Sequence, residues 1–501
     1  MAFGRICEKS SIFIALALTA LVCSAGCGGG KAVLVGEEPL EKVEKAEDNL
    51  YALKAWVVSR AKADMLIHID TSDDLQIFPD YHRENIKNAA AHLKRGNVDV
   101  IDQLAPLLAR GGAINLGYSA GLFKRVVWVL PTQVSVGDDP EGFKAYLMQR
   151  RGYSYTRLRD LAADGKNMTG MLAGVPITIT SFDDLEIGSG DAILSIDLAY
   201  FLGARAVDPA HRPGTRAVID FLRRLAAGNV WARFATVVLS TDSGTCPLDI
   251  RFYGDMIKEA LADPLLLEEP LPEKWTAMIE AEDSLVAGNF HAAERIYENL
   301  TERHPRDPGL HFALAVTKGF LGEGGRSGEE ILNAYEIDGA YGGGFFQLAN
   351  VLAVGGRMDT GVEIISTKML SRIVTPYELD YKKGIFFMNG GRPEEAITYL
   401  ERAVEMRPKD FLLHSLLFKA QRDAGRRDDM ALTFEKLREI DESRIGSETP
   451  WVLKDMGAMY ESVPSYDRAV EMYERFLEHV PGDSSARELR EKIEHWKRAD
   501  R

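Results

Sequence analysis

At Leu66-Ile-His-Ile-Asp70-Thr-Ser-Asp-Asp74 an apolar run passes directly into three aspartates, and Leu194-Ser-Ile-Asp197-Leu-Ala199 is a second apolar run ending in an acid. Carboxylates gathered at two strand ends make a cradle for a divalent cation. The carboxyl ends of strands are also where open α/β sheets place their sites. His68 stands two residues before Asp70 and so shares its strand face. It reads either as an extra ligand or as a satisfied core side chain, and the core reading is preferred. Asp242-Ser243 reads as a turn after a strand, with the lining of the same mouth as the alternative. No Ser-His-Asp or Cys-His arrangement can be recovered from spacing, and no phosphate-binding glycine loop opens a helix. Gly111-Gly112 and Gly188-Ser-Gly190 are turn signals.

The elements that must position these residues are legible as alternating patterns. Leu66–Ile69, Val126–Leu130, Val175–Thr180, Ala192–Asp197 and Ala235–Leu239 are apolar, β-branched runs of buried-strand type. Helical patterns lie near 84–95, 141–150, 215–227 and 251–262. Strands alternating with helices predict an α/β three-layer domain with a mostly parallel sheet over residues 42–268.

After Pro270-Leu-Pro272 the strands stop and a repeat begins. Gly288, Phe290, Ala293, Tyr297 and Pro305 set a frame that Gly391, Ala396, Leu400, Ala403 and Pro408 repeat, as do Tyr466, Ala469, Tyr473 and Pro481. Ala293 and Ala396 are three periods of about 34 residues apart, and Ala396 and Ala469 two slightly long ones. Small residues let paired helices approach, aromatic residues fill the space between them, and proline ends the second helix. Weaker copies fall near Ala315, Ala349 with Gly355, and Gly425 with Ala431. This resembles the tetratricopeptide family over 273–482, with a capping helix in 484–501. The resemblance implies an all-α solenoid that binds a protein partner. Glycine-rich stretches at 322–328 and 342–344 depart from the pattern and predict an irregular second repeat.

The two acidic segments resemble the Asp-Ala-His-x-Asp and Ser-x-Asp-x-Asp metal motifs of the arginase/histone deacetylase superfamily. Glu47-Asp48-Asn49, Gly121–Pro131 and Gly174–Asp184 extend the likeness to an uncharacterised branch of it. Asp70, Asp74 and Asp197 stand where that superfamily has ligand aspartates. Ser72 stands where it has a histidine, Ala199 where it has a second aspartate, and Asn49 where it has an upstream histidine. Alanine ligates nothing, and serine and asparagine are weak ligands beside imidazole. The resemblance therefore implies the fold with most of the chemistry lost: a pseudoenzyme, with no cofactor expected beyond a weak divalent metal at Asp70, Asp74 and Asp197. The rival expectations are a remodelled hydrolase of amide or guanidino C–N bonds and a binding module for a small polar ligand.

The chain has 501 residues, is 46% hydrophobic and 27% charged, and carries a formal charge of −15 without a basic stripe. That argues against a nucleic-acid partner. Residues 1–26 have a charged start (Arg5, Lys9), an apolar run from Ile12 to Val22, too short to span a bilayer, and Ser24-Ala25-Gly26 before Cys27. The junction resembles the lipobox of bacterial lipoproteins, which implies cleavage before Cys27 and its lipidation. Residues 27–41 are then a tether, beginning with Gly28-Gly29-Gly30. Loss of Arg5, Glu8 and Lys9 takes the charge from −15 to −16, and Cys246 remains the one thiol that is not lipidated. The expectation is an envelope protein held by acyl chains at the periplasmic face of the outer membrane, with no disulfide to stabilise it.

Overall fold

The computed structural model describes residues 32–75, 82–108, 112–131, 136–151, 153–185, 191–202, 214–241, 246–368 and 370–499. Cys27, the apolar run before it, Gly111, Gly188–Gly190 and Asp242-Ser243 lie outside them. The chain divides into two compact units, residues 1–313 and 314–501.

The first unit is built on one mixed sheet. Its strands are β1 (Val33–Leu34), β2 (Val43–Ala46), β3 (Met65–Ile69), β4 (Arg125–Leu130), β5 (Ala162–Asp164), β6 (Asn167–Leu172), β7 (Val175–Ser181), β8 (Ala192–Asp197) and β9 (Trp231–Val238). The order β9-β8-β3-β4-β7 is parallel throughout. β6 and β5 extend it antiparallel beyond β7. On the far edge β9 pairs with two segments, β1 antiparallel along its start and β2 parallel along its end. Every residue of β3 and of β8 is buried. Strands covered on both faces need continuous apolar runs, which is the pattern their sequences carry.

Helices α1 (Asn49–Val58), α2 (Arg83–Lys94), α3 (Asp99–Leu108), α4 (Ala113–Ser119), α5 (Pro140–Arg151), α6 (Thr215–Ala227) and α7 (Tyr253–Ala262) accompany the sheet. Trp56 and Leu53 of α1 join Phe123, Trp128 and Phe234 in its core. Helix α1 was not visible as a periodic pattern, because Asn49–Val58 is apolar nearly all round. Its start is nevertheless well specified: the Asp48 carboxylate accepts from the Leu50 and Tyr51 amides at 2.8 and 3.0 Å. The sheet also begins earlier than position 42. Val33 and Leu34, inside the segment expected as a tether, pair with Ala232 and Trp231, because an apolar pair satisfies its backbone groups by adding to an open edge.

The unit closes with helices α8 (Glu273–Val286) and α9 (Phe290–Arg303). The Glu282 carboxylate of α8 accepts the Thr215 amide and hydroxyl at the start of α6, both at 2.7 Å. This polar clasp ties the first helical hairpin to the sheet domain, so the compact unit runs past the proline break at 270–272.

Helix α10 (Pro308–Leu321) carries the boundary between the units. The second unit is all-helical: α11 (Gly324–Ile337), α12 (Gly344–Val354), α13 (Met358–Ile365), α14 (Pro376–Asn389), α15 (Pro393–Met406), α16 (Phe411–Asp423), α17 (Arg427–Glu448), α18 (Pro450–Ser462), α19 (Tyr466–His479) and α20 (Ala486–Ala499). Gly356, Gly391 and Gly425 turn between paired helices with φ of 79°, 69° and 73°, a conformation that costs other residues a clash at Cβ. Ala396 and Ala469 are fully buried. A Cβ on Gly384 would come within 2.6 Å of Leu400, and one on Gly457 within 2.5 Å of Tyr473, which is small-against-large packing between paired helices. The weak copy near Ala431 is corrected by one residue, since buried Met430 occupies the position of Ala396. The long interval before Ala469 also has a cause. Phe411 and Pro450 begin successive hairpins 39 residues apart, because α17 breaks at Asp441 (φ −168°, ψ 97°) and adds a turn. Leu489 and Ile493 bury one side of α20 and leave the rest charged, as a terminal cap requires.

Candidate metal site

β3 and β8 are adjacent and in register, Ile69 opposite Ile196, so Asp70 and Asp197 leave the sheet side by side at its carboxyl end. Asp70 is held by the Trp128 indole, which donates to its carbonyl at 3.0 Å, and its carboxylate accepts the Thr71 amide at 2.6 Å. The chain then turns sharply. Asp74 sits at φ 46°, and its carboxylate swings back toward the end of β3. Asn49, the first residue of α1, reaches it there: the amide Nδ2 donates to Asp74 Oδ2 at 2.5 Å. Asn49 thus stands beside Asp74.

His68 is buried, as the core reading expects, and it also faces the acids. The ring is fully buried, and its Nε2 faces Asp74 Oδ2 at 3.3 Å, Asp70 Oδ2 at 3.6 Å and the Ser72 carbonyl at 3.0 Å. Nδ1 has no hydrogen-bond partner among the described residues. His68, Asp70 and Asp74 each offer a ligand atom with all three within 4.8 Å of one another. Asp197 is not in that group. Its two oxygens accept the Ser240 hydroxyl at 2.6 Å and the Ala199 amide at 2.8 Å. Ser72 contributes its carbonyl toward the imidazole, while its hydroxyl accepts the Asp74 amide at 3.4 Å. Ala199 is buried and supplies only that backbone donor. Asp73 points elsewhere, accepting the Tyr153 hydroxyl.

The electrostatics follow from like charges in a dry place. Burial, with Asp197 and Asp74 as neighbours, raises the Asp70 carboxyl well above the usual range. Burial pushes Asp197 up to about 6 against the opposing bonds from Ser240 and Ala199. For Asp74 burial also acts upward, but the His68 bond and charge outweigh it and the net shift is downward. Burial, with Asp197 and Asp70 nearby, drives the Cys246 thiol upward, so it is an inert neighbour of the site. Arg251 holds Glu47 bidentately at 2.6 and 2.7 Å and donates to Thr241 at 2.5 Å, joining the ends of β2 and β9.

The donor set passes the test for a single cation. Ligand atoms about 2.1 Å from a tetrahedral ion stand roughly 3.4 Å apart, close to the spacings around Nε2. It does not fit a pair of ions, since Ser72 and Ala199 add no side-chain ligand and Asp197 is engaged by Ser240. The strand face that His68 shares with Asp70 was legible in the sequence; the turn that brings Asp74 back to within 3.3 Å of Nε2 was not.

Residues 381–410, which take in most of α14, all of α15 and the turns that follow each, match the family described as tetratricopeptide repeat. No curated protein matches the sequence. Among solved structures, YrrB, described as a tetratricopeptide protein with an unusual peptide-binding site, aligns at 19% identity and TM-score 0.28, covering 39% of this chain and 97% of its own. Pseudomonas aeruginosa pilF aligns at 14% identity and TM-score 0.26, covering 44% and 97%. PilW, described as a type IV pilus biogenesis factor, aligns at 16% and 0.26, covering 43% and 97%.

Proposed function

We propose that this tetratricopeptide-containing chain is a lipid-anchored scaffold of the bacterial envelope, and that its sheet domain is an arginase/deacetylase-like fold without turnover. The observation that supports it is the helical region. Its hairpins pair through buried alanine and glycine against large side chains, a construction that presents helix surfaces to a partner. Cys27 supplies the anchor, the two acyl signals of the lipobox reading give stable attachment, and the periplasmic face of the outer membrane is the expected address. In vivo cross-linking of the full-length chain, followed by mass spectrometry, tests the scaffold. A specific envelope protein cross-linked to residues 314–501 supports it; the same background as a Cys27→Ala chain overturns it.

The second reading, a metal-dependent hydrolase of amide or guanidino C–N bonds, is favoured by one observation, the turning of His68 onto Asp70 and Asp74. His68, Asp70 and Asp74 would hold the ion, which would supply Lewis acidity and an acidified water. The chain's own residues supply less: Asn49 orients Asp74, and Ser240 and Ala199 fix Asp197. Asp197, pushed up to about 6, is the group placed to hold a proton near neutrality. Release of amine or urea from acyl-amines or guanidino compounds by the metal-supplemented protein, abolished by Asp197→Asn, would replace the scaffold reading of this domain.

A further inference from the structure

We propose that His68, Asp70 and Asp74 form a binding site for one borderline divalent cation of the Zn²⁺, Co²⁺ or Mn²⁺ class, its imidazole supplied from within β3 in place of the missing histidine at position 72. The inference goes beyond the scaffold reading and does not depend on it.

Three observations carry it. First, the ligand atoms already converge: Nε2 is 3.3 Å from Asp74 Oδ2 and 3.6 Å from Asp70 Oδ2, and no two of the three are more than 4.8 Å apart. Second, the imidazole is fully buried with all its polar neighbours on one ring nitrogen, Nε2, while Nδ1 has none among the described residues. Nε2 is thus the one ring nitrogen turned toward oxygen atoms, and two of those are carboxylate oxygens. Third, two aspartates face this nitrogen, one of them nearly sealed from water, and buried charges persist where they are paired or coordinate a metal. One nitrogen and two carboxylate oxygens favour a borderline ion over Mg²⁺ or Ca²⁺, which take oxygen ligands alone. The Ser72 carbonyl, 3.0 Å from Nε2, is the nearest further oxygen.

The site differs from the one the superfamily motifs describe. Its histidine lies two residues before the first aspartate instead of two after, and Asp197 stays with Ser240. It is also less well supported. A ligating histidine ordinarily donates its other nitrogen to an acceptor, and loss of such a partner weakens metal binding by about 10- to 100-fold. The ion should therefore be held loosely enough for a chelator to strip.

The test uses the full chain, stripped with chelator, exchanged, and titrated with Co²⁺ and Zn²⁺. The expected result is one equivalent bound, visible Co²⁺ absorption of a four- or five-coordinate N/O site, and a histidine Nε2 resonance displaced by Zn²⁺. His68→Gln and Asp74→Asn should each weaken binding about tenfold or more, and Ser72→Ala should leave it within about threefold. Asp74 lies nearer the surface than His68, so its variant reads the site even where His68→Gln fails to fold. Absence of stoichiometric uptake by the wild-type chain, or wild-type uptake by Asp74→Asn, overturns the proposal. Loss of metal binding leaves the cross-linking result untouched, so the two readings fail separately.

Discussion

At the residue scale the molecule concentrates its unfavourable electrostatics at one place. Asp70 is buried beside two other acids, an arrangement that costs stability and that a protein keeps where the site has a use. Asp70→Asn keeps the acceptor for Thr71 and removes the repulsion. It should raise the melting temperature of the chelator-treated protein, by an amount worth about 1–2 kcal/mol, while abolishing any stabilisation by Zn²⁺. A melting temperature lowered by Asp70→Asn would contradict that account. Glu282 makes a second, separable residue-scale prediction. Burial, acting first and against its bonds from Thr215, pushes its carboxyl from 4.5 up to about 7. Between these values the folded state binds more protons than the unfolded one, so stability falls as pH rises from about 4.5 to 7. The side chain keeps some access to water, so the loss is on the order of 2 kcal/mol. Glu282→Gln should flatten that stretch of the melting curve plotted against pH; an unchanged slope would exclude Glu282 as its source.

At the element scale the helical hairpins stand on a few obligatory positions. Gly391 turns between α14 and α15 at φ 69° with nothing within 4 Å of its missing Cβ, so Gly391→Ala tests backbone conformation alone. The expected cost is about 1 kcal/mol in denaturant unfolding, with no change in m-value. Thr375 caps α14 in a reciprocal box with Glu378: its hydroxyl accepts the Glu378 amide at 3.3 Å, and its own amide donates to the Glu378 carboxylate at 3.1 Å. Thr375→Ala should cost a similar ~1 kcal/mol, and Thr375→Ser should restore most of it. These elements were legible beforehand because glycine at a left-handed turn and alanine at a helix crossing are chosen by local sterics. Helix α1 and the edge strand β1 were not. The first is apolar all round and shows no period, and the second is two residues long and exists because β9 offers it an open edge.

At the scale of the whole molecule, two regions of different construction are strung behind a cysteine that the lipoprotein reading makes an anchor. Cys27→Ala should move the protein from the membrane pellet to the soluble fraction on cell fractionation, and retention in the pellet would refute lipid attachment. The amino-acid sequence by itself determined the succession of an α/β region and a helical repeat, the phase of that repeat, and the strand ends where acids collect. Each of these is written in periods of two, of 3.6 or of about 34 residues, and needs no knowledge of what the segment touches. Only the tertiary structure decided which of these side chains stand together. It brought His68 and Asn49 onto Asp74, took Asp197 away to Ser240, and clasped the first hairpin to α6 through Glu282. A side chain's partners across a turn or between helices depend on a few degrees of backbone rotation at residues such as Asp74, and no spacing along the chain encodes that rotation.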